Sequence, residues 1–243
     1  HGDMGSAGKY SAPASERILS EQCQLAIEST MIYHTPEVKE NLENFGIPVL
    51  VERSSYESHP LGRMEWMKLY GALLGKEELA ENVFEEQKKM TEEILGQENT
   101  GKTVAFFYIS SVGYANVRKS DDYIAKMIEL AGGKYIFEHL GDPENALSTM
   151  NMQMEEFYAR AKDADYIIYN STIDGELQTI DELLAKSGLL KDFKAVKEGN
   201  VWCTEKNLFQ ETTGLGQMIA DIHQMLTSED ENLKELSYMH RLQ

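Results

Sequence analysis

Between Gly62 and Leu95 apolar residues recur at helical spacing over an unusually long stretch. Trp66, Leu69, Tyr70, Leu73 and Leu74 form a wide stripe, and Leu79, Val83, Phe84, Met90 and Ile94 continue it past a kink at Gly75. A helix of about thirty residues spans roughly 45–50 Å at 1.5 Å per residue, longer than most helices within one small lobe. Its natural use is to bridge two lobes. The expected division is a partial N-terminal lobe over 1–61, a bridging helix over 62–96 and a C-terminal lobe over 97–243.

On either side of this tract, helix-like and strand-like segments alternate. Ser15–Glu21 reads as a short helix and Leu25–Ile27 as a strand. Pro36 suits a first helical turn, Val38, Leu42 and Phe45 follow at helical spacing, and Gly46 stops the helix before the β run Ile47–Val51. That is one β–helix–β unit with a connection suited to parallel pairing. Further on, Thr103–Ile109 and Tyr166–Tyr169 read as buried strands and Asn200–Thr204 as strand-like. Asp121–Leu130, Met154–Ala161 and Leu215–Leu226 read as helices, and Thr179 with Glu182 as a capping box. The fold class is α/β, in two lobes.

Composition narrows the function. With 23 Lys+Arg against 41 Asp+Glu the formal charge is −18, which argues against a phosphate-backbone partner. No run approaches the ~18 consecutive apolar residues of a membrane span. Cys23 and Cys203 fit neither a zinc motif nor a disulfide framework and read as inert thiols. The stretch His1–Gly8 reads as a tag remnant or the ragged start of a processed fragment.

Enzyme signatures are absent: there is no Gly-x-Ser-x-Gly elbow, phosphate loop or Gly-x-Gly-x-x-Gly. None of the six histidines pairs at i, i+4 with another His or Cys, so a transition-metal site would have to be assembled across the fold. The polar and aromatic residues gather instead after the strands, where open α/β sheets bind ligands. These stretches contain Glu28, Ser29 and Tyr33; Tyr56; Tyr114, Asn116 and Arg118; and Asn170–Gly175. Tyrosine rings suit a compact polar ligand or chelate, and Arg118 can fork onto a carboxylate, hydroxamate or catecholate oxygen or pair with Asp121 or Asp122.

Several short pieces, in order, resemble a known family. Gly46-Ile47-Pro48-Val49, Leu61-Gly62-Arg63-Met64-Glu65-Trp66, Leu73-Leu74-Gly75-Lys76-Glu77, Ala164–Ile168 and Phe193–Trp202 resemble the metal-chelate substrate-binding proteins of bacterial ABC importers. These are the periplasmic or lipid-anchored binders of ferric siderophores, haem and cobalamin. The resemblance covers roughly Lys9 to Leu226. It implies two Rossmann-like lobes bridged by a long α-helix, with the first lobe incomplete. It also implies ligand contacts at Tyr10, Ser11, Glu28 and Ser29, at Tyr114 to Arg118, and on a far wall at Asn207 to Gln210, which includes Phe209. The family's tryptophan-rich hydroxamate pocket is not reproduced, since Glu28 and Leu208 stand near the aromatic positions.

The resemblance further implies that Glu37 and Glu155, each near a helix start, dock onto arginines of the permease, with Glu156 one residue from the latter. The expected function is capture of a metal chelate in an interlobe cleft and delivery to an ABC permease. The chain would be extracytoplasmic, with a lipid anchor outside it, and would have no catalytic residue and no cofactor. The alternatives are a bare divalent metal held by His34, His59 and carboxylates, or an α/β enzyme using the same cleft.

Overall fold

The computed structural model describes residues 5–97, 99–140 and 148–243; His1–Met4 of the tag-like opening lie outside them. The chain forms two compact units, 1–56 and 57–243.

In the first unit, β1 (Gly8–Lys9) and β2 (Ala12–Pro13) pair antiparallel around the two-residue turn Tyr10-Ser11. Helix α1 (Ser15–Ser20) follows, then β3 (Ala26–Ser29), a 3-10 turn (Thr30–His34), α2 (Pro36–Asn44) and β4 (Val49–Glu52). Strands β3 and β4 are parallel, in register from Ala26–Val49 to Ser29–Glu52. The expected β–helix–β unit is therefore present, with Pro36 in the first turn of α2. Gly46, at φ +80°, takes the chain out of the helix in a conformation that side-chain-bearing residues avoid. Strand β3 runs two residues past the apolar stretch and takes in Glu28 and Ser29. The core is small: Ile32, Val38, Leu42 and Ile47.

The second unit opens with α3 (Pro60–Leu74) and α4 (Glu77–Leu95). The tract is helical as expected, but it is two helices folded against each other. Gly75 is left-handed, at φ +63°, and Lys68 Nζ lies 3.9 Å from the centre of the Phe84 ring. In an unbroken helix those residues would stand roughly 24 Å apart along the axis. The apolar stripe is thus spent on a helical hairpin that also packs on α9 (Leu215–Thr227).

The central sheet has the order β11-β10-β9-β5-β6-β8. Its parallel core is β5 (Thr103–Ile109), β9 (Tyr166–Tyr169) and β10 (Val201–Thr204). The short β7 (Lys134–Tyr135) runs parallel to the start of β5. Residues 104–107 are all buried, as a strand covered on both faces requires. Helices α5 (Tyr123–Leu130), α9, α3 and α4 pack together, whereas α6 (Met154–Ala161) brings Phe157 to an aromatic cluster with Phe107, Phe137 and Phe193. The capping box of α7 (Ile180–Lys186) forms as expected, and the four-residue α8 (Lys194–Lys197) leads towards β10. Both tryptophans, Trp66 on α3 and Trp202 on β10, belong to this unit.

Besides the two-residue β1, β2 and β7, three longer strands depart from the sequence reading. Ser110–Arg118, expected to be one loop, turns at Ser110–Gly113 and returns as β6 (Ala115–Arg118), antiparallel to β5. Strand β8 (Thr149–Met152) pairs with β6, and β11 (Met239–Arg241) closes the far edge on β10. Each is only three or four residues long, too short to show an alternating pattern.

Candidate functional site

In the second unit Arg118 is the centre of a packed cluster at the far end of β6. Tyr135, on β7, fixes its main chain twice: the hydroxyl accepts from the Arg118 N–H at 3.1 Å and donates to the Arg118 carbonyl at 2.9 Å. Burial pushes the Tyr135 phenol well above its ordinary range, so it stays a neutral donor. The Arg118 side chain is 11% exposed. Its guanidinium stacks on Phe209, 4.6 Å from the ring centre, donates to Ser148 Oγ at 3.3 Å and lies 3.6 Å from the Asp122 carboxylate.

Asp122 is the N-cap of α5, its Oδ1 accepting from the Ile124 N–H at 3.0 Å. Burial raises its carboxyl above the usual range, and the opposing pull of Arg118, the Ile124 N–H and Arg63 is insufficient to reverse this. Arg63, in the first turn of α3, stacks on Tyr123 at 3.9 Å from the ring centre. The sequence carries Arg63 only as part of a motif; its place in this cluster follows from tertiary packing.

The other residues singled out from sequence take varied positions. Tyr114 follows the hairpin turn, its N–H donating to Ser110 Oγ. Asn116 is on β6 and donates its amide across the pair to Asn151 at 2.9 Å. Asn207 is exposed and donates to Glu211 at 2.7 Å, beside the 3-10 turn (Leu208–Gln210) that carries Phe209. Of the second-unit set, the structure brings Arg118 and Phe209 into contact.

In the first unit, Tyr10 and Ser11 occupy the β1–β2 turn and are exposed, as are Tyr33 and Tyr56. Arg53 lies 5.7 Å from the Tyr56 ring centre. Glu28 and Ser29 are strand residues rather than loop residues. Glu28 is half-buried and its carboxyl is raised by desolvation, while Ser29 caps the following 3-10 turn by accepting from Met31 N–H. Glu37 and Glu155 are exposed in the first turns of α2 and α6. Glu156 is paired with Arg160 at 3.0 Å.

His59 is the N-cap of α3, its Nδ1 accepting from Leu61 N–H at 3.2 Å. Burial and the nearby charge of Lys126 lower its pKa, favouring the neutral ring that this cap requires. Among the described residues no three His, Cys, Asp or Glu side chains converge in a geometry suited to a metal ion.

No family model matches the chain. It is 32% identical to an uncharacterized lipoprotein of Methanocaldococcus jannaschii over 182 residues, covering 73% of this chain and 42% of the relative. A second uncharacterized lipoprotein of that organism is 27% identical over 208 residues, covering 81% of this chain and 52% of the relative. The chain thus spans about half the length of the curated relatives it matches. Among solved structures it is similar to the periplasmic haem-binding protein HutB of Vibrio cholerae, with TM-score 0.72 and 18% identity over 93% of this chain and 85% of that one. A possible iron-binding periplasmic solute-binding protein of Staphylococcus epidermidis gives TM-score 0.67 and 16% identity, covering 90% and 82%. An ABC-type Fe3+-hydroxamate transport protein of Saccharomonospora viridis gives 0.64 and 16%, covering 93% and 76%. The chain has the α/β fold of the periplasmic solute-binding proteins of iron, haem and siderophore importers.

Proposed function

We propose that this chain is the solute-binding part of an ABC importer, an extracytoplasmic and non-enzymatic protein that captures a metal chelate and delivers it to a permease. The observation that carries the reading is the fold, common to solute-binding structures for iron, haem and ferric hydroxamate over at least nine-tenths of the chain. The lipoprotein names of the curated relatives agree with membrane tethering at the outer surface.

On the second unit the proposed ligand contacts are Tyr114, Asn116, Arg118, Asn207 and Phe209. On the first they are Tyr10, Ser11, Glu28, Ser29, Tyr33 and Tyr56. Each set is tested by its own substitutions. Native mass spectrometry and calorimetry against ferric siderophores, haem, cobalamin and free divalent metals decide the ligand class. Binding of a chelate supports the reading, and uptake of a bare metal alone replaces it with direct metal capture.

Docking on the permease is assigned to Glu37 and Glu155. Glu155 is preferred to Glu156 because the latter is already paired with Arg160, whereas Glu155 has no ion-pair partner among the described residues. Exposed pairs are worth only about 0–1 kcal/mol each, so they orient docking rather than supply its affinity. The double variant Glu37→Ala, Glu155→Ala should bind ligand normally and lose permease-dependent uptake. Unchanged uptake removes the assignment.

A further inference from the structure

A partly open cavity of about 140 Å³ lies in the second unit where β9 and β10 begin. The contacts proposed above at Tyr114, Asn207 and Phe209 follow the ends of β5 and β10 instead, so this is a separate place on the sheet. Strand alternation builds its floor. Asn200 and Trp202 stand two residues apart at the entry to β10, and Arg241 on β11 is the direct cross-strand partner of Trp202. Tyr166, at the start of β9, and Met225, in the last turn of α9, add wall. The lip is Glu229-Asp230-Glu231, just after α9.

Three donors on this floor have no acceptor among the described residues. Trp202 is 3% exposed, and its indole N–H makes no hydrogen bond. The sealed side-chain polar atoms without a partner are Thr35 Oγ1 and the Tyr169 hydroxyl, so the indole N–H is not walled in; it opens on the cavity that its ring lines. A donor left unpaired on so buried a residue is rare. The half-buried Asn200 side-chain amide is likewise unbonded. Arg241 is fixed by two bonds, from Nε to the Gly199 carbonyl at 2.7 Å and from Nη1 to the Glu231 carbonyl at 3.3 Å. Its Nη2 stays free, and its charge has no ion-pair partner among the described residues.

The lip has the opposite character. Glu229, Asp230 and Glu231 are exposed acids, none in an ion pair among the described residues. The last carbonyls of α9 point the same way electrically, and that of Leu226 already accepts from the Lys102 ammonium at 2.6 Å. A simple anion would meet the donors but face three carboxylates. A simple cation would suit the lip and leave the donors unpaired. A ligand carrying both charges answers both. A cavity of about 150 Å³ holds a benzene-sized molecule, which sets the ligand at roughly five to eight non-hydrogen atoms.

We propose that this cavity is a second ligand site, for a small zwitterion of the α-amino acid or betaine type. Its carboxylate is taken by the Trp202 N–H, the Asn200 amide and Arg241 Nη2, and its ammonium faces the acids of the lip. The site stands apart from the chelate reading and does not depend on it.

The test uses the full chain with four probes: alanine, glycine betaine, acetate and ethylammonium. NMR of the indole N–H groups gives the local signal, with Trp66→Phe assigning the Trp202 resonance, and calorimetry gives affinities. Alanine or glycine betaine is expected to shift the Trp202 N–H and to bind at least about tenfold more tightly than acetate or ethylammonium. Tighter binding of alanine assigns the site to amino acids, and tighter binding of glycine betaine to methylated ammonium groups. Asn200→Ala should weaken the zwitterion about fivefold, as loss of one hydrogen bond does. The exposed triple variant Glu229→Gln, Asp230→Asn, Glu231→Gln keeps the floor intact and should weaken it about threefold or more at low salt, with a smaller effect at high salt.

A Trp202 signal unmoved by all four probes at high millimolar concentration means that the cavity holds water alone, and overturns the site. Acetate or ethylammonium binding as tightly as the zwitterions overturns the ligand class, as does unchanged affinity in the lip variant.

Discussion

Gly71 meets Ala80 so closely across the α3–α4 hairpin that a Cβ on residue 71 would come within 2.7 Å of the Ala80 Cβ. The main-chain carbonyl of Lys76 is also near, at 3.2 Å. The helical hairpin therefore depends on a residue without a side chain at this crossing. Gly71→Ala gains about 1 kcal/mol of helix propensity, but forcing a methyl into packed helices typically costs about 1–3 kcal/mol. The expected result is a net loss of about 1 kcal/mol, read by urea denaturation followed by circular dichroism. In an Ala80→Gly background the penalty should shrink, and the difference measures the contact itself.

Asp165 ties the start of β5 to α8. It accepts from the Thr103 N–H at 2.7 Å and hydroxyl at 2.8 Å, and pairs with Lys194 at 2.5 Å. Burial works against the carboxylate, but the Lys194 and Thr103 bonds outweigh it and hold the pKa below the ordinary value. The native state thus keeps this group ionised more strongly than the unfolded chain does. Its contribution is complete above the unfolded value near 4 and is lost as pH falls through the depressed native value. Asp165→Asn should cost about 1–3 kcal/mol at neutral pH. The gap from wild type should narrow during an acid titration of stability; a constant gap refutes the account.

Asp122 has the opposite sign. Its native pKa lies above the unfolded value because burial dominates Arg118, the Ile124 N–H and Arg63. Its contribution is most favourable when the carboxyl is protonated, and it declines as pH rises from about 4 through the raised native value. Asp122→Asn keeps a side-chain acceptor for Ile124 N–H, so wild type should lose stability relative to this variant as pH increases through that window. Parallel denaturation series at successive pH values check the direction.

The two thiols should differ in reactivity. Cys203 is buried on β10, and desolvation pushes its thiol up to about 11, with only partial relief from the Leu177 N–H that donates to the sulfur. Cys23 is half-buried and donates to the Leu25 carbonyl at 3.2 Å. At neutral pH a maleimide or disulfide reagent should label Cys23 in the native chain and reach Cys203 only after denaturation. Peptide mapping of the labelled chain distinguishes the two.

Much of the scaffold is legible in the residues. Tyr166–Tyr169 and Met154–Ala161 can be read to their ends, the first as an uninterrupted buried run and the second from its apolar spacing. The α2 entry at Pro36 and the Thr179–Glu182 capping box have local chemistry that needs no tertiary information. The hairpin at Gly75 escapes the pattern because two amphipathic helices in sequence show the same periodicity whether straight or folded back. What distinguishes them is the Gly71–Ala80 fit, a contact in space. The site is less legible for the same reason. Arg118 stands out beside its strand, but Arg63 gains meaning only from Tyr123 and Asp122, which are distant in the chain. Asn116 and Arg118 also read as loop residues until pairing with β5 on one side and β8 on the other makes β6 a strand.

The placement of the indoles has a practical consequence. Trp202 is nearly sealed within β10 and Trp66 donates its N–H to Glu57 at 3.2 Å, so both chromophores belong to the 57–243 unit. The 1–56 unit has no indole; its aromatic side chains are Tyr10, Tyr33, Phe45 and Tyr56. Light absorbed selectively by indole therefore follows the larger unit alone, while the amide backbone signal follows both. With four residues at its core, the smaller unit should melt first, as a backbone change that leaves indole emission still. The chain thus carries an optical label confined to one of its two units, and its two unfolding events can be told apart without attaching a dye.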